Sequence, residues 1–133
     1  MKKRILVVDD DKDILSSLKM ILEVQGYQVD VAERGQEAIK KSKTAIYDLA
    51  LIDIKLGDMS GTQVLAEFQE SFPDMIKIVI TGYPSLENAI ASLKYGADAY
   101  IMKPVNPYEL LRIAEEKLRE RKSKREEILE APR

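Results

Sequence analysis

The sequence contains no cysteine, no histidine and no tryptophan. Without cysteine the chain can form neither disulfides nor thiolate metal sites, and this composition fits a reducing compartment. Zinc sites in proteins depend mainly on cysteine and histidine, so zinc is disfavoured as well. Any metal that binds here should therefore be a hard cation that prefers oxygen ligands.

Long apolar segments, targeting signals and nucleotide-binding glycine motifs are also missing. The apolar runs are only a few residues long, and no basic, apolar leader is present. We therefore expect no membrane span, no signal peptide and a cytoplasmic location. None of the six glycines belongs to a dinucleotide or P-loop motif. The formal net charge of −2 provides no overall attraction to nucleic acids, so we expect no direct binding to them.

The sequence does contain the regular alternation of strands and helices that is typical of an α/β domain. Its 133 residues suit one domain, and 45% hydrophobic with 33% charged residues is ordinary for a globular protein. The second predicted strand alternates apolar and polar residues, and the fifth is short with polar flanks, so we place both at the edges of the sheet. The apolar runs predict five strands, at residues 4–8, 27–31, 49–52, 76–80 and 99–102.

Five helices are predicted between and after the strands. Gly26 and Gly96 end the first and the fourth, Pro73 ends the third, and Asn106 with Pro107 begins the fifth. Each helix has apolar residues at helical spacing, which we expect to face the core. In the fourth helix these residues are Leu86, Ala89, Ile90 and Leu93.

This alternation predicts a doubly wound parallel sheet, because right-handed crossovers place helices on both faces of the strands. Strands one, three and four are predicted at the centre, with strands two and five at the edges. The flavodoxin-like order 2-1-3-4-5 satisfies that pattern. We therefore predict an α/β domain with five parallel strands and five helices, the last of them extended.

Polar residues follow four of the strands, at the edge of the sheet where ligands bind in open α/β folds. Asp9 and Asp10 follow the first strand, Asp53 the third, Thr81 the fourth and Lys103 the fifth. Three carboxylates in one crevice repel one another, because two unit charges about 4 Å apart repel by roughly 4 kcal/mol at an effective dielectric of about 20. The crevice therefore requires positive charge.

Lys103 and a divalent cation together balance the three carboxylates. Mg²⁺ is the cation that binds one or two carboxylates together with phosphate oxygens and water. A site of this kind suits phosphoryl transfer, with Asp53 as the nucleophile and Thr81 as a donor to a phosphoryl oxygen. Aspartate and threonine also collect in ordinary strand-to-helix loops as caps, so a purely structural role for the set is the alternative.

Four short motifs resemble those of response regulator receiver domains in bacterial and archaeal two-component signalling. The motifs are Ile5-Leu-Val-Val-Asp-Asp, Leu51-Ile-Asp-Ile-Lys-Leu followed by Gly61, Ile80-Thr-Gly, and Tyr100-Ile-Met-Lys-Pro. The resemblance covers residue 4 to about residue 120, and the stretch at 81–87 is similar to receivers attached to enhancer-binding transcription activators. It implies a regulatory domain that accepts a phosphoryl group from a sensor histidine kinase and assists its own phosphorylation and dephosphorylation.

By position, the resemblance implies a role for each residue around the crevice. Asp53 accepts the phosphoryl group, Asp10 binds Mg²⁺ directly, and Asp9 assists mostly through water. Asp53 also belongs to the metal set, the backbone carbonyl of Lys55 completes the metal shell, and Lys103 binds the phosphate. Because the chain has no histidine, the phosphoryl donor must be another protein or a small acyl phosphate.

The resemblance also implies that Thr81 and Tyr100 form a switch pair. The pair relays phosphorylation to the face formed by the fourth helix, the fifth strand and the fifth helix, where partner binding or a homodimer is expected. Lys55 and Tyr83 occupy positions that tune the lifetime of the phosphate in the family. One departure is Gly57, where the family usually has proline, and it predicts a less rigid loop after the third strand.

Two other functions stay open. A phosphatase of the haloacid-dehalogenase type also places an aspartate nucleophile at the end of a parallel strand with Mg²⁺. It needs a second aspartate two residues on, where this chain has Lys55. A degenerate receiver that acts only as an interaction module should lack part of the acid cluster, Thr81 or Lys103, and this chain retains all of them.

The C-terminal end is predicted to continue the last helix beyond the domain. We divide the chain into a receiver domain at 1–120 and a charged helical extension or tail at 121–133. Residues 119–127 offer no apolar position, which argues against a sustained coiled coil. Residues 108–133 include eight basic and seven acidic residues, which argues against a DNA-binding arm.

Two pairs of opposite charges favour a solvated helix in this extension. Glu115 with Arg119 and Glu120 with Lys124 are four residues apart, a spacing that places their side chains on one helix face. A linker helix that leads to an output domain is the functional interpretation. A frayed polar terminus is the alternative.

Overall fold

The computed structural model describes residues 2–130 and contains a parallel sheet of five strands. The order across the sheet is β2-β1-β3-β4-β5, and each neighbouring pair is parallel. The predicted strand order is therefore confirmed, with β2 and β5 at the two edges. The strands are β1 (Arg4–Val8), β2 (Gln28–Ala32), β3 (Leu49–Asp53), β4 (Ile76–Thr81) and β5 (Ala99–Met102).

Five helices connect or follow the strands, as predicted. Side-chain oxygens of Asp11, Ser60 and Ser85 accept hydrogen bonds from first-turn amides and cap α1, α3 and α4. Within the described part of the chain, no helix is both long and apolar enough to cross a membrane. The helices are α1 (Lys12–Val24), α2 (Gly35–Ser42), α3 (Gly61–Ser71), α4 (Leu86–Lys94) and α5 (Pro107–Glu130).

The sheet is covered on both faces, and the alternation of side chains along each strand divides the core into two layers. Leu49 and Leu51 of β3 contribute to the layer under α1 and α5. Ala50 and Ile52 contribute to the opposite layer, together with Phe68 of α3. Burial of each large apolar side chain stabilises the fold by about 1.5–3 kcal/mol. Strands that are buried on both faces leave only their ends for polar residues.

The start of α3 lies directly against the end of β3. The N–H of Gly61 donates to the carbonyl oxygen of Ile54 at 2.7 Å. A β-carbon at position 61 would lie 2.0 Å from the carbonyl oxygen of Asp53, so only glycine permits this approach. The backbone of Asp53 is therefore positioned by α3 as well as by the neighbouring strands.

The apolar stripe of α4 faces solvent, and the prediction that it packs on the core is wrong. Leu86, Ile90 and Leu93 are 78%, 58% and 68% exposed, and Ala89 is half-buried. Among the residues of this helix only Ser92 is buried. The helix therefore contributes few apolar contacts to the fold and presents its large side chains outward.

The reason is that the side of α4 that faces the protein carries Asn88 and Ser92 in place of large apolar residues. Gly96, just past the end of the helix at Lys94, lies on the same side. A β-carbon at position 96 would lie 2.4 Å from the side-chain oxygen of Gln69 in α3, which shows how closely the two segments approach. Hydrophobic spacing alone cannot identify which of two stripes is buried.

The extension of α5 is helical to the end of the described residues, but its predicted ion pairs are wrong. Glu115–Arg119 and Glu120–Lys124 are not among the ion pairs within residues 2–130, and Glu120 instead pairs with Lys117 at 3.5 Å. The division of the chain at residue 120 stays a prediction. The last three residues of the predicted tail lie outside the described residues.

Arg121 fastens this extension to the amino-terminal ends of the strands. Its Nη2 donates to the Asp48 carboxylate at 2.9 Å, and its Nη1 donates to the carbonyl oxygens of Asp48 and Asp74 at 3.0 and 3.3 Å. The Asp48 carboxylate also accepts the backbone N–H of Arg4 at 2.8 Å. Burial alone would raise the pKa of Asp48, but the hydrogen bonds from Arg4 and Arg121 outweigh it and lower the pKa. Arg121 thus joins α5 to the starts of β1 and β3.

We predict that Arg121→Ala lowers the free energy of unfolding by about 1.5–3 kcal/mol, because it removes hydrogen bonds to a partly buried carboxylate. The Arg121 side chain is only 10% exposed. The matched control is Arg125→Ala, since the Arg125 side chain is 51% exposed and pairs with exposed Asp74. That variant should lose less than about 1 kcal/mol. Urea unfolding measures both, and equal losses would contradict the role given to Arg121.

Candidate functional site

Four ionisable side chains converge where β1, β3 and β5 end. Asp9 and Asp10 directly follow β1, Asp53 is the last residue of β3, and Lys103 directly follows β5. The Lys103 amine donates to Asp9 Oδ2 at 2.8 Å and to Asp53 Oδ2 at 3.0 Å. One ammonium group therefore joins carboxylates from two adjacent strands to the edge strand β5.

Burial strengthens the electrostatic interactions among these four charged side chains. Asp9 and Asp53 are buried, Lys103 is mostly buried, and Asp10 is exposed. Two buried carboxylates against one ammonium leave one net negative charge, and Asp10 adds a second. Interactions between such charges are worth about 4 kcal/mol at about 4 Å and an effective dielectric of about 20. The crevice is therefore a negatively charged site that can receive a cation.

Backbone amides bind the carboxylate oxygens that do not bind Lys103. Asp9 Oδ1 accepts the N–H of Asp11 at 2.9 Å. Asp53 Oδ1 accepts the N–H of Lys55 at 3.2 Å. Each buried carboxylate is thus hydrogen-bonded through both oxygens, and its orientation in the crevice is set by the loop that follows its own strand.

Asp11 contributes to the site in a way that the sequence analysis missed. Its N–H binds Asp9, and its own carboxylate caps α1. The run of three aspartates directly before an apolar helix is the signal that could have identified this cap. Within residues 2–130, no donor hydrogen-bonds to the exposed carboxylate of Asp10, which leaves its oxygens available to a ligand.

Burial and the shared lysine act in opposite directions on the pKa values in the crevice. Burial raises the pKa of Asp53 above its ordinary value and the Asp9 charge adds to this, whereas the hydrogen bonds from Lys103 and from the Lys55 N–H lower it. For Lys103, burial lowers the pKa, but the hydrogen bonds to the two carboxylates outweigh it and raise the pKa. Lys103 is therefore positively charged at neutral pH.

The three carboxylates fit a hard divalent cation. Asp9, Asp10 and Asp53 each offer an oxygen, and these oxygens lie within 4.8 Å of one another. Ligands of octahedral Mg²⁺ lie about 2.0–2.1 Å from the ion, so opposite ligands are about 4.2 Å apart, and small side-chain rotations close the difference. An all-oxygen donor set with excess negative charge suits such an ion. These residues could therefore hold a metal.

Thr81 and Tyr100 lie beside the crevice and do not hydrogen-bond to its carboxylates. Thr81 is fully buried, and its Oγ1 accepts the N–H of Tyr83 at 3.0 Å. Tyr100 pairs with Val79 and Thr81 pairs with Met102, so Thr81 and Tyr100 lie on the same face of adjacent strands. Tyr100 is half-buried, and within residues 2–130 no group hydrogen-bonds to its buried hydroxyl.

Lys55 links the loop after β3 to the loop after β4. Its backbone N–H binds Asp53, and its amine lies 4.1 Å from the centroid of the Tyr83 ring. A cation over an aromatic face is attracted by about 0.5–1 kcal/mol at an exposed site. No local spacing in the sequence relates Lys55 to Tyr83, so this contact could not be predicted. The metal role expected for the Lys55 carbonyl stays a prediction.

The chain matches the response regulator receiver domain over residues 5–115. A CheY-like receiver domain protein from Methanospirillum hungatei has a crystal structure with a TM-score of 0.92 and 52% sequence identity, covering 93% of this chain and 99% of that one. A response regulator from Burkholderia pseudomallei, crystallised with a phosphorylated aspartic acid, a calcium ion and citrate, has a TM-score of 0.82 and 34% identity, covering 98% of this chain and 76% of that one.

Regulatory proteins also contain similar sequences. The acid tolerance regulatory protein ActR of Sinorhizobium medicae is 38% identical over 109 residues, which are 82% of this chain and 56% of that protein. The chain spans between 23% and 56% of the length of the curated relatives that it matches. The match to the family runs from the first strand into the last helix, so the chain belongs to the response regulator receiver domains, which act as phosphorylation-dependent switches in two-component signalling.

Proposed function

We propose that Asp53 is the phosphoacceptor of this receiver and that a sensor histidine kinase in the cytoplasm is the donor. The observation that carries the proposal is the buried contact of Lys103 with Asp53 and Asp9, at 3.0 and 2.8 Å. The chain has no histidine, so the phosphohistidine belongs to another protein. A carboxylate oxygen of Asp53 attacks phosphorus, the P–N bond breaks, and the imidazole of the kinase leaves with the bonding electrons and takes up a proton.

Each residue of the crevice has a distinct part in this transfer. Lys103 neutralises charge on the transferring phosphoryl group, Thr81 donates its hydroxyl to a phosphoryl oxygen, and the N–H of Lys55 orients the acceptor carboxylate. Asp10, Asp9 and the carbonyl of Lys55 would hold Mg²⁺, which when bound offsets negative charge on the phosphoryl oxygens. The oxygen donors select a hard cation, and among these Mg²⁺ is favoured because it typically binds one or two carboxylates together with phosphate oxygens and water.

The Burkholderia relative supports both the modification and the class of metal. That structure contains a phosphorylated aspartic acid and a calcium ion, which is also a hard divalent cation. An aspartyl phosphate is an acyl phosphate that water can hydrolyse, so the same residues assist its removal. This chain is therefore a regulatory domain that promotes its own phosphorylation and dephosphorylation and turns over no separate substrate.

A receiver that acts only as an interaction module is disfavoured by the buried ions. Burial costs several kcal/mol per ion, and apolar replacement of a buried ion pair is often neutral or stabilising. Asp9, Asp53 and Lys103 are nevertheless buried together, which phosphoryl chemistry explains and packing does not. The phosphatase alternative lacks its second aspartate, because Lys55 occupies that position and its amine contacts Tyr83.

The signal leaves the crevice through Thr81 and Tyr100. Phosphorylation replaces the single negative charge of Asp53 with nearly two, which attracts the Thr81 hydroxyl toward the phosphoryl group. Movement of Thr81 frees space beside β5, and Tyr100 on the same face moves to fill it. Within residues 2–130 no group hydrogen-bonds to the buried hydroxyl of Tyr100, so no hydrogen bond to the hydroxyl has to break when the side chain moves.

The exposed stripe of α4 supports an interaction surface on the face of α4, β5 and α5. Leu86, Ile90 and Leu93 of α4 and Met102 at the end of β5 are large apolar residues that face solvent. Contiguous apolar surface of this kind marks sites of protein association. Phosphorylation therefore strengthens homodimer formation or partner binding through this face, without direct contact of this chain with nucleic acid. We propose that the α5 extension serves as a linker helix to an output domain; some of the longer relatives are named transcriptional regulatory proteins.

The phosphoacceptor is tested by intact-mass spectrometry after incubation with acetyl phosphate and Mg²⁺. The wild type should gain one phosphoryl group, and Asp53→Asn should gain none because an amide is a poor nucleophile. Asp74→Asn, which changes an aspartate at the opposite end of the strands, is the matched control and should be labelled like the wild type. Chelation of the metal should prevent labelling. Equal labelling of Asp53→Asn would disprove the assignment.

Metal binding should depend more on Asp10 than on Asp9. The Asp10 carboxylate is exposed, whereas both oxygens of Asp9 are engaged by the Asp11 N–H and by Lys103. Asp9→Asn should weaken Mg²⁺ binding about tenfold, as is typical of an outer-shell partner, and Asp10→Asn should weaken it further. Calorimetric titration of Mg²⁺ into each variant measures the difference. A larger loss in Asp9→Asn would reverse the two assignments.

Coupling to the output face should require the Thr81 hydroxyl. One donor bond of about 1.5–3 kcal/mol shifts a two-state equilibrium by about ten- to a hundredfold, so beryllofluoride with Mg²⁺ should strengthen self-association of the wild type by that order. Thr81→Ala should still be phosphorylated but lose the shift, and Thr81→Ser should retain it. Sedimentation measures association. A wild type whose association and Tyr100 spectra are both unchanged by beryllofluoride would rule the mechanism out.

A further inference from the structure

The loop between β3 and α3 carries two groups that the proposed function uses. The N–H of Lys55 binds Asp53, and the Lys55 carbonyl is the proposed metal ligand. The base of the loop is closed by the hydrogen bond from Gly61 to Ile54 at 2.7 Å and by a bridge between Lys55 and Ser60. The position of the Lys55 carbonyl therefore depends on what holds the rest of the loop.

The tip of the loop is fastened by Asp58. Leu56 is buried, but Gly57 beside it is exposed, and apart from residues 56–58 no described residue has an atom within 4 Å of the place that a β-carbon would occupy there. Asp58 Oδ1 accepts the N–H of Gly35 at 2.8 Å, and Oδ2 accepts the N–H of Gln36 at 3.0 Å. Gly35 and Gln36 are the first two residues of α2, so both oxygens of one carboxylate tie the loop to that helix.

α2 has no side-chain cap of its own. Arg34 occupies its N-cap position with an extended backbone, at φ −133° and ψ 155°, and makes no side-chain cap bond. The first amides of a helix have no partners within the helix, and the helix dipole favours negative charge there. Asp58 supplies this cap from a distant part of the sequence, and hydrogen bonds from Gln36 and Gly35 hold the pKa of Asp58 below its ordinary value.

Met59 also packs against the first residue of α2, Gly35. A β-carbon at position 35 would lie 2.3 Å from the Met59 side chain, so glycine at the start of α2 is what allows the loop to approach. Two consecutive loop residues, Asp58 and Met59, therefore rest on the first residue of α2. The contact joins the loop to a helix that is not its neighbour in sequence.

We infer that Asp58 is a positioning residue for the metal site. By capping α2 it holds the loop in which the Lys55 carbonyl lies, and it replaces the rigidity that Gly57 removes from the loop. The inference rests on the proposed function, because it concerns the metal ligand proposed there. Without Asp58 the loop samples more conformations and the metal binds more weakly. Saturating metal selects the conformation in which Lys55 also binds Asp53, so the rate of phosphoryl transfer is then that of the wild type.

The test is calorimetric titration of Mg²⁺ into Asp58→Ala. The dissociation constant should rise about tenfold, the lower end of the range for loss of an outer-shell partner. With acetyl phosphate, the Mg²⁺ concentration that gives half the maximal phosphorylation rate should rise by a similar factor. The maximal rate should equal that of the wild type. This split between metal affinity and rate is not expected of a residue that only stabilises the fold.

One control separates positioning from charge. Asp58→Asn removes the charge but keeps an oxygen that can accept one of the two N–H groups. A positioning role predicts a smaller loss of Mg²⁺ affinity in Asp58→Asn than in Asp58→Ala, and a loss in Asp58→Ala that persists at about 1 M salt, where charges more than about 3 Å apart are screened. A loss that is equal in both variants and disappears in salt would show that Asp58 acts only through its charge.

A second control separates positioning from the stability of α2. Arg34→Ser in the Asp58→Ala background gives α2 a cap of its own, because serine at an N-cap accepts first-turn amides, but it does not restore the tie to the loop. Hydrogen exchange along α2 should return to the slow wild-type rate while Mg²⁺ affinity stays low. Arg34→Ser alone is the reference for the change in charge.

The outcomes distinguish the inference from the function on which it rests. If the wild type neither binds Mg²⁺ nor becomes phosphorylated on Asp53, the proposed function is wrong. If the wild type does both, and Asp58→Ala binds Mg²⁺ as tightly as the wild type, only the inference is wrong. Restoration of affinity by Arg34→Ser in the double variant would also overturn it.

Discussion

The ammonium group of Lys103, held between two buried carboxylates, is the interaction on which the functional edge of the sheet depends. The carboxylates of Asp9 and Asp53 repel one another, and the Lys103 ammonium that contacts both offsets this repulsion. The contact of Lys103 with both carboxylates requires the carboxyl ends of β1, β3 and β5 to lie side by side at one edge of the sheet. The register of the parallel strands aligns their ends in this way. The two apolar layers of the core offset the free energy that the buried ions cost.

The helices around this edge are held to very different degrees. Asp58 ties the β3–α3 loop to α2, and Arg121 ties the extension of α5 to the starts of the strands. α4 has no comparable attachment within residues 2–130 and buries only Ser92. The domain therefore combines a rigid frame, which keeps the crevice in shape, with one helix that can shift while the frame stays in place.

The strands and the acidic edge could be predicted from the sequence because the signals are local. Apolar runs of four or five residues identify buried strands, and the residue after each run must lie at the edge of a parallel sheet. The convergence of Asp9, Asp53 and Lys103 follows from the strand order together with the parallel register, and the long side chain of Lys103 reaches across from the edge strand. Local signals failed in α4, where two faces of the helix could each have been the buried one. The stripe of large apolar residues predicts the wrong face, because those residues are exposed.

Contacts between distant parts of the sequence could not be predicted at all. The carboxylate of Asp58 caps a helix 22 to 23 residues earlier, and Arg121 binds Asp48, 73 residues away. Neither spacing corresponds to a helix turn or a strand alternation. Whether these contacts form depends on the three-dimensional positions of the β3–α3 loop and of the α5 extension. The order of the strands constrains those positions only coarsely.

The exposed stripe of α4 also affects how such a domain can change during evolution. Leu86, Ile90 and Leu93 contribute little to the core, so replacing them changes the surface offered to a partner without a large loss of fold stability. In the function proposed above, the residues of the interaction surface and those of the phosphoryl-transfer site thus belong to separate sets. Under that proposal, a duplicated copy of the gene can acquire a new partner through these α4 positions while Asp53 and its neighbours keep the original reaction.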